Sequence, residues 1–172
     1  PRRPSWTSRP DLRYPIVVYG LTGPLCAGKD LAAEVLRRRG WLIVDEDAVG
    51  HLALEAQADE IVSAFGEDML DASGEISRRR LGEVVFETPE ALERLESIVH
   101  PWMVEETRRR LEERTVEHAA INAAILFKMG LDALCDRVIL VRSPAILRFL
   151  RCLRRDDLSP ARVVARMRAK RA

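Results

Sequence analysis

Apolar residues fall into two rhythms along this chain. Short continuous runs at Ile16-Val17-Val18-Tyr19, Trp41-Leu42-Ile43-Val44, Ala119-Ala120-Ile121 with Asn122, and Val138-Ile139-Leu140-Val141 predict four strands of a parallel sheet covered on both faces. Between them the spacing turns helical. Leu31, Ala32, Val35 and Leu36 predict an amphipathic helix to Arg39 that Gly40 ends. Residues 48–65, 76–86 and 91–114 predict further helices, with a turn-rich connector over 66–74. Ser143-Pro144 opens a helix toward Asp156, and Ser159-Pro160 opens the last one. Strand and helix alternate, with a helical insertion between the second and third strands, so the pattern predicts an α/β protein with a parallel sheet and a helical subdomain. Ligands of such sheets sit at the carboxyl ends of the strands.

The segment after the first strand carries the strongest chemistry. Thr22-Gly23-Pro24-Leu25-Cys26-Ala27-Gly28-Lys29-Asp30 places G-x-x-x-x-G-K between a strand and a helix, the layout of a phosphate-binding loop. Gly23 and Gly28 are expected to take backbone angles closed to other residues, so that successive N–H groups wrap a polyphosphate. Lys29 brings an ammonium to the terminal phosphates, and the helix behind it points its positive end at them. Asp30 stands where Ser or Thr normally holds Mg²⁺; a carboxylate is itself a good Mg²⁺ ligand, but it adds negative charge beside the phosphates. Cys26 reads as a small filler inside the loop.

At 172 residues and 47% hydrophobic content the chain is expected to be one globular domain. It has no apolar run of about 18 residues, which excludes a membrane-spanning helix. Pro1 to Pro15 is rich in Pro, Arg and Ser without an apolar stretch, and reads as a flexible tail rather than a secretory signal. Cys26, Cys135 and Cys152 are far apart and odd in number, so free thiols in a cytoplasmic setting are expected. The net charge of +1 conceals an asymmetry: residues 137–172 carry eleven basic and two acidic groups, whereas residues 1–136 carry 17 and 25. Arginines closing over a nucleotide phosphate fit that basic end. A solvated helix face fits it too, and the lack of interleaved aromatic residues argues against nucleic acid.

Other groups gather around these. Asp45 and Asp47 follow the second strand, where a carboxylate serves either as proton acceptor in phosphoryl transfer or as a cap for the next helix. His51 lies four residues beyond Asp47, on the same helix face. Arg78-Arg79-Arg80 opens an apolar helix, His100 precedes Pro101, and Arg148, Arg151 and Arg155 form a stripe at helical spacing.

In order along the chain, these residues resemble the dephospho-CoA kinase family. Leu21-Thr22-Gly23 to Lys29 looks like its loop, and Asp45-Glu46-Asp47-Ala48-Val49-Gly50-His51 like its D-x-D-x-x-x-[HR] segment. Phe65-Gly66-Glu67-Asp68-Met69-Leu70, Arg78 to Leu81, Val85-Phe86 and His100-Pro101 look like its helical substrate domain. Leu126-Phe127, Gly130-Leu131 and Asp136-Arg137-Val138 resemble the run around its later strands, and Arg151, Arg155-Asp156, Leu158-Ser159 and Ala165-Arg166-Met167 its lid. The resemblance implies a P-loop three-layer fold. It would have a core at 16–47 and 116–143, a helical substrate-binding insertion over about 48–115 and an arginine-rich lid over about 144–166. It implies transfer of the ATP γ-phosphate to the 3′-hydroxyl of dephospho-CoA with Mg²⁺. Carried over by residue, Asp47 would be the general base. Gly23, Cys26, Ala27, Gly28, Lys29, Asp30 and Leu31 would bind ATP, and Asp30 would take the metal. Arg151 and Arg155 would close over the phosphates, and Asp45, His51, Arg78 and His100 would hold the acceptor. A monomer or small homo-oligomer in the cytoplasm is expected, with no membrane or nucleic-acid partner.

The chain departs from that pattern at Asp30, at Asn122 and Lys128 where the family carries acids, at Ala124 in place of a proline and at Lys170 in place of a glutamine. The strand and final helix with which the family continues are expected to be absent after Ala172. These departures keep two alternatives open: a kinase of another nucleotide or small acceptor, and a catalytically silent nucleotide-binding module.

Overall fold

The computed structural model describes residues 16–113, 116–156 and 160–169; the N-terminal tail anticipated at 1–15 lies outside them. Four parallel strands form one sheet in the order β2-β3-β1-β4, with β1 at Val17–Thr22, β2 at Leu42–Asp45, β3 at His118–Asn122 and β4 at Arg137–Leu140. The apolar runs become these strands because both faces of a parallel sheet are covered: Val18, Leu21, Val44, Ala119, Ala120 and Ile121 are all buried. β4 is an edge strand, and its Val138 and Leu140 are exposed. Asp136 ties that edge to the centre, its Oδ2 accepting from Val18 N at 2.9 Å.

The pairing register fixes which strand ends share an edge. Leu21 of β1 and Asp45 of β2 both lie opposite Asn122 of β3, and Thr22 lies opposite Leu140. At the other end the rings of Tyr19 and Trp41 meet at 4.9 Å, and Trp41 stacks on His118 at 4.8 Å. α1 (Lys29–Arg38) packs over β1, β2 and β3.

Two compact units divide the chain. Glu46–Arg110 forms one, and the flanking chain up to Asp45 and from Leu111 forms the other. The helical unit holds α2 (Glu46–Ala56), α3 (Ala58–Phe65), α4 (Arg78–Val85) and most of α5 (Pro89–Glu112). The single helical stretch read at 48–65 is two helices, because Gln57 at φ −111°, ψ 25° leaves the helical well. Local chemistry sets the other boundaries. Ser77 Oγ accepts from Arg80 N at the start of α4, and Thr88 Oγ1 accepts from Ala91 N at 3.2 Å ahead of Pro89. α5 runs through Pro101, which has no N–H to donate back to Ser97. The unit containing the sheet closes with α6 (Ala145–Asp156), which packs on α7 (Pro160–Ala169).

Candidate active site

The loop between β1 and α1 is shaped by three backbone features. Gly28 adopts φ 100° and caps α1, with no side chain bonded to the first helical N–H groups. That end of α1 presents bare donors and the positive pole of the helix dipole, an anion-binding arrangement. Gly23 has no positive φ. Its requirement is space: a Cβ there would collide with the carbonyl oxygen of Val141. The expectation of special angles at both glycines is therefore corrected at Gly23, where the close approach of β4's continuation excludes any side chain. Cys26 takes the left-handed conformation at φ 57°, alone among the described non-glycine residues.

Lys29 is the first residue of α1, and its side chain is only 12% exposed. Its Nζ donates to Asn122 Oδ1 at 2.6 Å and lies 3.3 Å from Asp30 Oδ1. Asn122 Nδ2 reaches the same Asp30 oxygen at 3.5 Å. Asn122 is 3% exposed at the end of β3, so the ammonium is held by a neutral, buried acceptor on one side. The Asp30 carboxylate on its other side is 71% exposed.

α6 lies against the back of the loop. Arg148, itself buried, donates from Nε to Leu25 O at 2.9 Å. Arg151 Nη1 donates to Ala27 O at 3.1 Å, to Ser143 Oγ at 3.2 Å and to Cys26 O at 3.5 Å. Cys26 and Cys152 are joined by a disulfide across a sequence separation of 126, with their Cα atoms 5.9 Å apart. This corrects the expectation of free thiols at these positions. Spacing along the chain carries no sign of the pairing, which exists because the fold lays α6 on the loop within disulfide reach. Cys135 is free; burial, with Asp132 and Asp136 nearby, pushes its thiol up to about 12.

Of the three acids at 45–47, Asp45 ends β2, half-buried. Glu46 is buried in the helical unit and accepts from Thr107 Oγ1 at 2.8 Å. Asp47 is exposed inside the first turn of α2, where the helix dipole favours a carboxylate; it does not precede the helix as a cap.

The helical unit contains a cavity of about 250 Å³ lined by His51, Leu54 and Glu55 of α2 with Asp71, Glu75, Ile76, Ser77 and Arg78. An Asx turn builds its outer wall. Asp71 Oδ1 accepts from Ser73 Oγ at 2.6 Å, Ser73 N at 2.8 Å and Glu75 N at 3.2 Å, and these bonds hold its carboxyl below the usual range. Arg78 Nη1 lies 3.1 Å from His51 Nε2. A guanidinium only donates, so in a hydrogen bond between the two His51 Nε2 is the acceptor. His51 and Arg78, distant in sequence, thus meet in one cavity. His100 lies on α5, outside this lining. The side chain of Arg155 falls outside the described residues.

Three supports of the loop escaped the sequence reading: Asn122 as partner of Lys29, Arg148 as a buried brace, and Cys152. Asn122 was signalled as the polar residue closing the apolar run Ala119-Ala120-Ile121, and Arg148 by its place in the arginine stripe; Cys152 carried no signal.

Comparison with known proteins gives a consistent result. A family model described as dephospho-CoA kinase matches residues 17–172. A dephospho-CoA kinase of Fusobacterium nucleatum is 32% identical over 146 residues, which is 84% of this chain and 76% of that protein. One from Borrelia garinii is 35% identical over 134 residues; the match takes in 77% of this chain and spans 65% of that protein's length. A crystal structure of a Thermus thermophilus protein is similar at a TM-score of 0.79 and 31% identity, covering 90% of this chain and 80% of that one.

Proposed function

This chain belongs to the dephospho-CoA kinase family, and we propose that it transfers the γ-phosphoryl group of ATP to the 3′-hydroxyl of dephospho-CoA, giving CoA and ADP. The observation that carries the reading is Lys29. It is an ammonium largely withdrawn from water, anchored by Asn122 and set at an uncapped helix start behind a loop that only glycine at position 23 permits.

In this reading the loop from Gly23 through Cys26, Ala27, Gly28, Asp30 and Leu31 receives the ATP phosphates, with Lys29 against the terminal ones. Asp47 accepts the proton of the attacking hydroxyl. Asp45, His51, Arg78 and His100 serve the acceptor, and the His51–Arg78 cavity supports that role for two of them. Arg151 and Arg155 of α6 serve the transferring phosphate.

Among the described residues no cluster of three or more His, Cys, Asp or Glu forms a metal cage. That fits Mg²⁺ in a kinase, which takes one or two carboxylates, water and substrate phosphate oxygens. Asp30, exposed and one residue beyond Lys29, is the side chain we assign to it. Bound there, Mg²⁺ would neutralise phosphate charge as the transfer proceeds. No helix among the described residues is long and apolar enough to cross a membrane, and an ATP-dependent reaction suits the cytoplasm.

The test is ADP release with ATP, Mg²⁺ and dephospho-CoA, run beside Asp47→Asn. Turnover in the wild type that drops by about 10²-fold or more in the variant supports the reaction and the base. Turnover with a different nucleotide acceptor alone would replace the substrate assignment. ATP binding without turnover on any acceptor would favour a silent nucleotide-binding module.

A further inference from the structure

Arg148, Arg151 and Cys152 occupy one face of α6 at three- and four-residue spacing, and all three engage the loop segment Leu25-Cys26-Ala27. Two of the links are hydrogen bonds to loop carbonyls and the third is covalent. The covalent one joins the single left-handed non-glycine residue of the loop to a helix residue that is 1% exposed. Arg151 is thereby held with its guanidinium on the carbonyls of Cys26 and Ala27 and on Ser143. With Nη1 committed to those acceptors, Arg151 can turn that nitrogen to a phosphate only by leaving them, and the adjacent disulfide keeps its helix from parting from the loop. Disulfides of proteins working in a reducing compartment are mostly transient and redox-sensing rather than structural.

We propose that Cys26 and Cys152 form a reversible redox latch: the disulfide clamps α6 onto the phosphate-binding loop and slows turnover, and the dithiol form frees α6 to move. The consequence for turnover rests on the kinase reading above, whereas the clamp itself does not.

The chemistry is thiol–disulfide exchange with a low-molecular-weight disulfide such as oxidised glutathione. The thiolate of Cys26, the half-buried partner, attacks one sulfur of the oxidant and releases one glutathione thiolate. The Cys152 thiolate then attacks Cys26 Sγ of the mixed disulfide and releases the second. The protein loses two electrons to the oxidant, and the two protons pass to the released thiols. A dithiol reductant reverses both steps.

The experiment compares wild-type protein oxidised with glutathione disulfide against the same protein reduced with dithiothreitol, each desalted, with reduced Cys152→Ala as the control that cannot form the latch. The cystine is verified by intact mass and peptide mapping. Hydrogen exchange across α6 reads the clamp, and ADP release reads turnover. We expect α6 amides to exchange about tenfold faster after reduction. Turnover should rise about fivefold or more on reduction, and Cys152→Ala assayed reduced should match the reduced wild type, whereas under oxidised glutathione that variant should stop at a Cys26 mixed disulfide seen by intact mass. Equal exchange in the two wild-type states, failure of the disulfide to form in excess oxidant, or an active enzyme with equal turnover in both states each overturns the latch. Redox-dependent exchange in a protein that turns over in neither state sustains the clamp and refutes the kinase reading. Should Cys152→Ala fail to fold, the two wild-type redox states still decide the matter.

Discussion

Replacing Asn122 with alanine isolates what holds Lys29 in place. Asn122 is 3% exposed, and its Oδ1 accepts from Lys29 Nζ at 2.6 Å, a short charge-assisted bond. Hydrogen bonds to charged groups contribute about 1.5–3 kcal/mol. Without this one, the ammonium keeps Asp30 at 3.3 Å, whose exposed carboxylate draws it outward along the loop. If the full bond energy is lost from the phosphoryl-transfer transition state, kcat/KM falls by about tenfold to 150-fold. Asn122→Asp provides the contrast. It retains an acceptor oxygen but adds a charge that competes with phosphate for Lys29, so ATP KM should rise while the fold survives. The assay is steady-state ADP release over an ATP titration, with urea unfolding of each variant to separate stability from catalysis. If Asn122→Ala retained kcat/KM within about twofold of wild type while folded, the idea that Asn122 orients Lys29 would be wrong.

Three further outcomes are expected. Gly23→Ala places a methyl group against the Val141 carbonyl, and overpacking there should cost about 1–3 kcal/mol in urea unfolding and weaken ATP binding. Glu106 accepts from Arg109 and Arg110, and the Arg109 bond chiefly, with Arg110, holds its carboxyl down to about 2 against the opposing effect of burial. A depressed carboxylate stabilises the fold fully above its unfolded value of 4.5 and loses that contribution as the pH falls toward about 2. Glu106→Gln should therefore cost about 1 kcal/mol at neutral pH and flatten the acid-unfolding profile across that window. Cys135, with its thiol pushed up to about 12, should resist iodoacetamide at pH 8 in the native protein and react once the chain is unfolded; fast native labelling there would contradict its burial.

The α/β architecture was legible because its signals are local. Unbroken apolar runs such as Ala119 to Ile121 suit strands covered on both faces, and the Gly28-Lys29 junction marks a strand-to-helix turn whatever surrounds it. The helices expected at 76–86 and 91–114 run Arg78–Val85 and Pro89–Glu112, each start two residues from the expectation, because the caps at Ser77 and Thr88 set the ends. The acidic triplet 45–47 shows where local reading stops. Three adjacent carboxyls look alike in sequence, yet one ends a strand, one is buried against Thr107 and one lies exposed in a helical first turn.

What the sequence determined by itself was the order of strands and helices, the phosphate-binding loop and the family of the chain, all set by residue types at short, fixed spacings. Only the tertiary structure decided the partners. Strand order and register bring Asn122 to Lys29 from 93 positions away. The path of α6 brings Arg148, Arg151 and Cys152 to the loop from more than 120, and α4 brings Arg78 to His51. Periodicity encodes which face of an element is buried. It does not encode which other element will cover that face, because that choice is made by packing among all of them at once.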